Sequence, residues 1–359
     1  MAGSSLLSLF IAVPLLASAI AAMVPWGSVR RALGLLIPAL GIAGGIWILA
    51  QVSEPHTVMV DNVGGFIGGI SIPLAADNLS GVLILTTSVV AFIANWFGDV
   101  VGETRARFYP ALTLMLIGGV WGALLTADLF NLFVFIEVML MPSFGLLAMT
   151  GTWARLAAGR MFIVVNLVTS LVLLSGVVLV YAVVGTTNLA ALAGSAGPRG
   201  TEFAEGVFGN QWQLVVPLGV VLLALAVKAG LAPVHTWLPR AYPSTSPAVM
   251  ALFSGLHTKV GVYAILRVYL TVFEGDSTWS WGILAIMVAG MLIGGFAGLG
   301  ETTMRSVIAY QMVNGIPFML IGLAFLSNNA QLMLSAGLFY MVHHMIVAGA
   351  LTVSYTHLT

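Results

Sequence analysis

Val227-Lys228-Ala229-Gly230-Leu231-Ala232-Pro233-Val234-His235-Thr236-Trp237-Leu238-Pro239 lies within an apolar stretch running from about 212 to 241. That stretch is too long for one plain crossing, since about 20 helical residues span a hydrocarbon core roughly 30 Å thick. Gly230 and Pro233 interrupt it. Proline removes a backbone donor and crowds the preceding turn, so the pattern predicts a broken seventh helix. Opened backbone at membrane depth survives only where protein or a water-lined cavity covers it. A lysine beside such a break is the pattern of a polytopic membrane protein with a buried polar interior, not of a soluble fold.

The rest of the chain agrees. Its 359 residues are 60% hydrophobic and 7% charged, against roughly 25% charged in soluble domains. Apolar runs recur near 6–24, 32–51, 77–98, 109–127, 130–149, 160–184, 212–241, 245–271, 280–299, 305–326 and 331–353. The expected fold is all-α, with about 11 transmembrane helices. No positive residue precedes the first run, and Arg30 and Arg31 follow it. This is the charge order of a retained first helix with its amino end outside, not of a cleaved signal peptide.

Arginines fall in alternate loops: Arg30 and Arg31, Arg105 and Arg107, Arg155 and Arg160, Arg240, then Arg305. The intervening loops carry Glu54 and Asp61, Asp128, Glu202 and Glu205, then Glu274 and Asp276, with Arg199 the one clear exception. The positive-inside rule makes the arginine loops cytoplasmic. The stretch 185–211 reads as an external linker. Basic and acidic residues balance at 12 each, so no tail or patch suggests nucleic acid. Absence of cysteine excludes disulfides, thiolate metal clusters and thiol nucleophiles. No Rossmann or P-loop glycine signature occurs, and no cofactor is expected.

Both lysines of the chain, Lys228 and Lys259, lie inside apolar spans. A lysine at mid-membrane costs about 2.5–3.5 kcal/mol on insertion scales, and snorkelling relieves that cost only near helix ends. Lys259 is near the centre of its span. Glu137, near the middle of the fifth span, is the acidic counterpart. Alone it would take up a proton; beside a lysine it would stay ionised, so a pair with Lys228 is chemically sensible. When the pair separates, Lys228 is freed to repel or exchange protons with Lys259. His235, His257, His343 and His344 are possible relay members, each with the plainer alternative of bonding a neighbouring helix. His257 is turned about 200° from Lys259, so one of the two can face a given path. Of His343 and His344, at most one points inward. No spacing resembles a metal site. Asp77, Asp128 and Arg267 sit at helix ends, where capping or solvation explains them.

Asp-Leu-Phe-Asn-Leu-Phe-Val-Phe-Ile-Glu-Val-Met-Leu (128–140) resembles the fifth-helix motif of the antiporter-like membrane subunits. That family covers the large Mrp-type Na⁺/H⁺ antiporter subunits and the proton-pumping membrane subunits of respiratory complex I. Residues 228–239 resemble its broken seventh helix. Ser246-Pro-Ala-Val-Met-Ala-Leu-Phe-Ser-Gly-Leu-His-Thr-Lys-Val-Gly-Val-Tyr263 resembles its eighth. The wording is most similar to the D-type branch of the Mrp subunits. The resemblance implies that Glu137 and Lys228 form a modulating pair and that Lys259 belongs to a central proton path. It also implies inverted five-helix repeats: residues 1–101 as three leading helices, 102–272 as a first repeat, and 273–359 as the start of a second. Family members have about fourteen helices, and the tail Ser-Tyr-Thr-His-Leu-Thr is unlike what precedes it. A shortened second repeat is therefore expected.

The expected function is a subunit of a multisubunit monovalent cation (Na⁺)/proton antiporter in the bacterial plasma membrane. Its expected partners are the other subunits, the bilayer, Na⁺ and H⁺. The alternatives are a proton-pumping subunit of an NADH:quinone oxidoreductase and a non-transporting scaffold.

Overall fold

The computed structural model describes residues 6–54, 57–66, 71–149, 153–197 and 212–358. Arg199, Glu202 and Glu205 lie outside the described residues, as do the side chain of Arg155 and those of the last five residues of the tail.

The helices are α1 (Leu9–Met23), α2 (Gly27–Gln51), α3 (Asn78–Val100), α4 (Tyr109–Leu125), α5 (Leu129–Ala148) and α6 (Trp153–Val184). Then come α7 (Trp212–Ala229), the short α8 (Trp237–Ala241), α9 (Pro247–Leu252), α10 (Thr258–Val272), α11 (Ser280–Leu299), α12 (Met304–Leu320) and α13 (Leu326–Leu358). Eight stretches are long and apolar enough to cross a membrane, and α1 and α4 are shorter apolar helices. The last of the eight, Met304–Ser354, folds back on itself: Gly337 approaches the Met319 carbonyl and Gly322 approaches that of Met333. It therefore supplies two crossings, and every apolar run of the sequence holds a helix. The protein is an all-α polytopic membrane protein.

Among the described residues the helices are joined by a short hairpin that the apolar pattern does not announce. β1 (Met59–Asn62) pairs antiparallel with β2 (Pro73–Ala76), Met59 opposite Ala76. It ties down the mouth of the bundle, since Ala127 N–H donates to the Pro73 carbonyl at 3.0 Å.

Helix starts are set by side chains that satisfy the first free amides. Asp77 accepts from Ser80 N for α3 at 2.9 Å, and Asp128 from Asn131 N for α5 at 2.8 Å. Ser246 precedes Pro247 at the first turn of α9, a position where proline's missing N–H costs nothing.

Between spans there is no hydrophobic gain to be had from lipid, so close backbone contact through small residues holds the bundle. A methyl group on Gly119 would meet Met139 N at 2.6 Å, and one on Gly45 would meet Leu85 N at 2.8 Å. Those glycines let α4 lie against α5 and α2 against α3.

Arginine loops gather at one end. Arg30 donates to the Arg107 carbonyl at 2.8 Å, Arg31 lies 3.6 Å from Asp99, and Arg305 donates to the Thr245 carbonyl at 3.3 Å. Acidic loops gather at the other. Ser8 donates to Asp61 at 2.9 Å, Thr187 to Asp128 at 2.6 Å, and Gly194 N–H to the Thr271 carbonyl at 2.9 Å. We call these the arginine end and the acidic end.

Candidate functional site

α7 stops at Ala229 because Gly230 turns left-handed, with φ +79°. Leu231 N–H closes onto the Ala226 carbonyl and Gly230 N–H onto that of Val227, both at 3.0 Å. This is the paired 6→1 and 5→2 closure of a glycine helix stop. Trp237 Nε1 donates to the same Val227 carbonyl at 2.9 Å, so the indole of α8 seals the opened end. Lys228 is thereby fixed in the last turn of α7, where a cation also complements the helix dipole. The sequence expects one interrupted span over 212–241. The structure divides it into α7 and α8, with Leu231–Thr236 irregular between them.

Lys228 is buried, and its Nζ lies 3.9 Å from Glu137 Oε1. Ser170 of α6 stands between them. Lys228 Nζ donates to Ser170 Oγ at 2.9 Å, and Ser170 Oγ donates in turn to Glu137 Oε1. Three helices thus converge on one relayed ion pair. Two unit charges 4 Å apart attract by about 4 kcal/mol at an effective dielectric of about 20, enough to offset much of the cost of a buried lysine. The sequence reading missed Ser170. Its available signal was the polar pair Asn166 and Ser170, four residues apart on one face of an otherwise apolar run.

Lys259 is 2% exposed at the start of α10, and its nearest hydrogen-bond partner is Thr258 Oγ1 at 3.3 Å. α10 meets α7 at the level of the two lysines: a methyl on Gly261 would meet Ala229 N at 2.8 Å. Immediately before Lys259, Phe253–His257 forms a π-turn, a wider turn that recurs at functional sites in helices.

The histidines separate. His257 is buried against Phe162, Trp237 and Phe253, with ring centroids 5.7, 6.4 and 5.8 Å away, and its Nδ1 is 3.4 Å from Tyr242 Oη. It packs on the same Trp237 indole that caps the Val227 carbonyl next to Lys228. His344 is buried on α13 against Gly315 of α12, whereas His343 is exposed. His235 is buried just beyond the break. Each of the three buried histidines keeps one ring nitrogen without a protein partner, namely His235 Nδ1, His257 Nε2 and His344 Nδ1. Buried polar atoms without a protein partner are uncommon. Both His257 and Lys259 are enclosed, His257 among aromatic rings and Lys259 beside Thr258. Among the described residues no group of three or more potential metal ligands gathers.

Asp77 and Arg267 are more than end residues. Asp77 caps α3, and Arg267 grips the same carboxylate with two hydrogen bonds of 2.6 and 2.9 Å. The expectation that capping or solvation accounts for them is too small: α3 and α10 are joined there by a two-pronged ion pair. Asp128 does cap α5 and also receives a hydrogen bond from Thr187.

Taken together, fold and site define an all-α, multi-pass membrane protein that holds a carboxylate, two lysines and three histidines inside its helical bundle. Residues 126–357 match the family model described as NADH:quinone oxidoreductase/Mrp antiporter, transmembrane, and the chain belongs to that family. The matched region contains Glu137, Lys228 and Lys259. Over 308 residues the chain is 33% identical to the D-type subunit of the Na⁺/H⁺ antiporter of Bacillus subtilis, covering 85% of this chain and 60% of that protein. A chain of the Mrp complex from Dietzia sp. DQ12-45-1b superposes with a TM-score of 0.89 at 41% identity, over 98% of this chain and 64% of that one. A chain of an archaeal membrane-bound sulfane sulfur reductase gives 0.82 at 26% identity, over 96% and 69%. The chain thus spans about three fifths of the length of the antiporter relatives it matches.

Proposed function

We propose that this chain is a subunit of a multisubunit Na⁺/H⁺ antiporter and that it moves protons through Glu137, Lys228 and Lys259. The observation that carries the proposal is the Glu137–Ser170–Lys228 bridge, an ion pair built across three spans beside a broken helix. Intramembrane ionisable groups of this kind mark ion pathways. While the pair is joined, Lys228 keeps its charge against Glu137. When it parts, the uncompensated cation on Lys228 disfavours a second cation nearby, and Lys259 gives up its proton along the row. His257 and His344, both buried and each with a ring nitrogen that no protein group occupies, are the possible carriers between these points and onward to α13.

Residues 102–272 would form the repeat that holds this pair, with 1–101 as leading helices and 273–359 opening a second repeat. The arginine end faces the cytoplasm by the positive-inside rule, which places the amino terminus outside a bacterial plasma membrane. Partner subunits complete the antiporter. The antiporter reading is preferred over the oxidoreductase one because the chain is 33% and 41% identical to Mrp-type relatives and 21–26% identical to respiratory-complex chains.

The test is Na⁺-dependent proton exchange in vesicles holding the full complex, comparing wild type with Glu137→Ala and Lys259→Ala. Both variants should lose most exchange while the complex still assembles. Unchanged exchange in both would sink the relay.

A further inference from the structure

Lys259, Tyr263 and Arg267 follow one another at intervals of four residues, so they line one face of α10. The last lies about 12 Å beyond the first along the helix axis, toward the acidic end. Exposure changes sharply along this stripe. The side chains of Arg267 and Asp77 are 24% and 26% exposed, whereas Tyr263, Ser80 and Lys259 are almost completely enclosed. One layer of side chains therefore stands between water at the acidic end and the buried lysine.

That layer is saturated with hydrogen bonds from three spans. Tyr263 Oη donates to the Leu124 carbonyl at 2.7 Å and accepts from Arg267 Nε at 3.1 Å. Ser80 Oγ donates to the same carbonyl at 2.9 Å and accepts from Arg267 Nη2 at 3.1 Å. The guanidinium also lies over the Tyr263 ring, 5.0 Å from its centroid, and is clamped by Asp77. A proton wire needs members that accept a proton and pass another on. Here each hydroxyl has within donating distance a backbone carbonyl with no proton to give, the 3.3 Å contact between the Ser80 and Tyr263 hydroxyls only closes a ring inside the layer, and arginine does not deprotonate. The Asp77 carboxylate balances the guanidinium charge, so the clamp closes the layer with a neutral pair that has no proton to release.

We propose that Asp77, Ser80, Tyr263 and Arg267 form a proton-tight seal that separates Lys259 from water at the acidic end. Arg267 is the plug, Asp77 holds it in register, and Tyr263 fills the layer behind it. Without the seal, the first half of the relay would run straight through and a proton gradient would dissipate without cation exchange. The seal presupposes the Lys259 path proposed above, and the test separates the two.

The experiment uses the full complex in vesicles loaded with a pH-sensitive dye, with an imposed pH gradient, potassium and valinomycin, and no Na⁺. Arg267→Gln should dissipate the gradient at least several-fold faster than wild type. Arg267→Lys, which keeps the charge and loses the fork, should leak less. Adding Lys259→Ala to Arg267→Gln should restore tightness, because the leak runs through that lysine. Tyr263→Ala empties the layer behind the ion pair; it gives the same reading should the arginine variants fail to assemble. Wild-type tightness in assembled Arg267→Gln or Tyr263→Ala complexes overturns the seal. A leak that persists with Lys259→Ala also overturns it, because the damage is then general. Unaltered Na⁺-driven exchange in Lys259→Ala alone overturns the relay instead.

Discussion

Replacing Ser170 with alanine removes the hydroxyl that links Lys228 to Glu137 and leaves both charges in place. The structure fixes what is lost: a 2.9 Å hydrogen bond from Lys228 Nζ and the bond from Ser170 to Glu137 Oε1. Hydrogen bonds to charged groups contribute about 1.5–3 kcal/mol each. The direct attraction across 3.9 Å survives and strengthens as the charges close in, so part of the loss is recovered. We expect a net weakening of about 2 kcal/mol, or about 30-fold in the balance between the joined and parted pair. Glu137→Gln is the harsher change. It leaves Lys228 buried without a counter-ion, at a cost of about 3–5 kcal/mol. Thermal unfolding of the detergent-solubilised complex, with Na⁺/H⁺ exchange alongside, should rank wild type above Ser170→Ala and Ser170→Ala above Glu137→Gln. In the double variant the two effects should fall short of their sum by about 1 kcal/mol or more, as expected for groups in one network. Strict additivity, or a Ser170→Ala variant indistinguishable from wild type in both assays, would refute the bridge.

Gly261→Ala should lower the melting temperature and the exchange rate together, since its methyl would lie 2.8 Å from Ala229 N and push α10 off α7, an overpacking cost of about 1–3 kcal/mol. Gly295→Ala, with nothing within 4 Å of the new carbon, should be neutral in the same melt. Of the adjacent pair on α13, His344→Ala should slow exchange, whereas His343→Ala, at an exposed position, should leave it within error. Lys259→Gln should abolish most exchange while complex assembly, read on native gels, stays intact.

Much of this molecule was legible one segment at a time. Runs of about 20 apolar residues can do little in a bilayer but form helices, because each unsatisfied backbone group there is costly. Gly230 and Pro233 broke the seventh stretch for reasons local to the chain, and the structure stops α7 at Ala229. Lys228, Lys259 and Glu137 stood out because charge at membrane depth is expensive wherever the rest of the fold lies. The hairpin of β1 and β2 was not legible, since its short strands carry no strong alternation and pair only because the loops around them are already placed.

What the sequence by itself determined was the set of spans, the break beside Lys228, and the alternation of arginine and acidic loops. All are local consequences of hydropathy, proline geometry and charge. Only the tertiary structure decided which of those charges meet. Ser170 bridges to residues 33 and 58 positions away, and Arg267 finds Asp77 across 190. Partners that distant are chosen by how glycine-lined helices pack. Composition could therefore mark Arg267 only as an end residue, while the packed bundle makes it half of an ion pair.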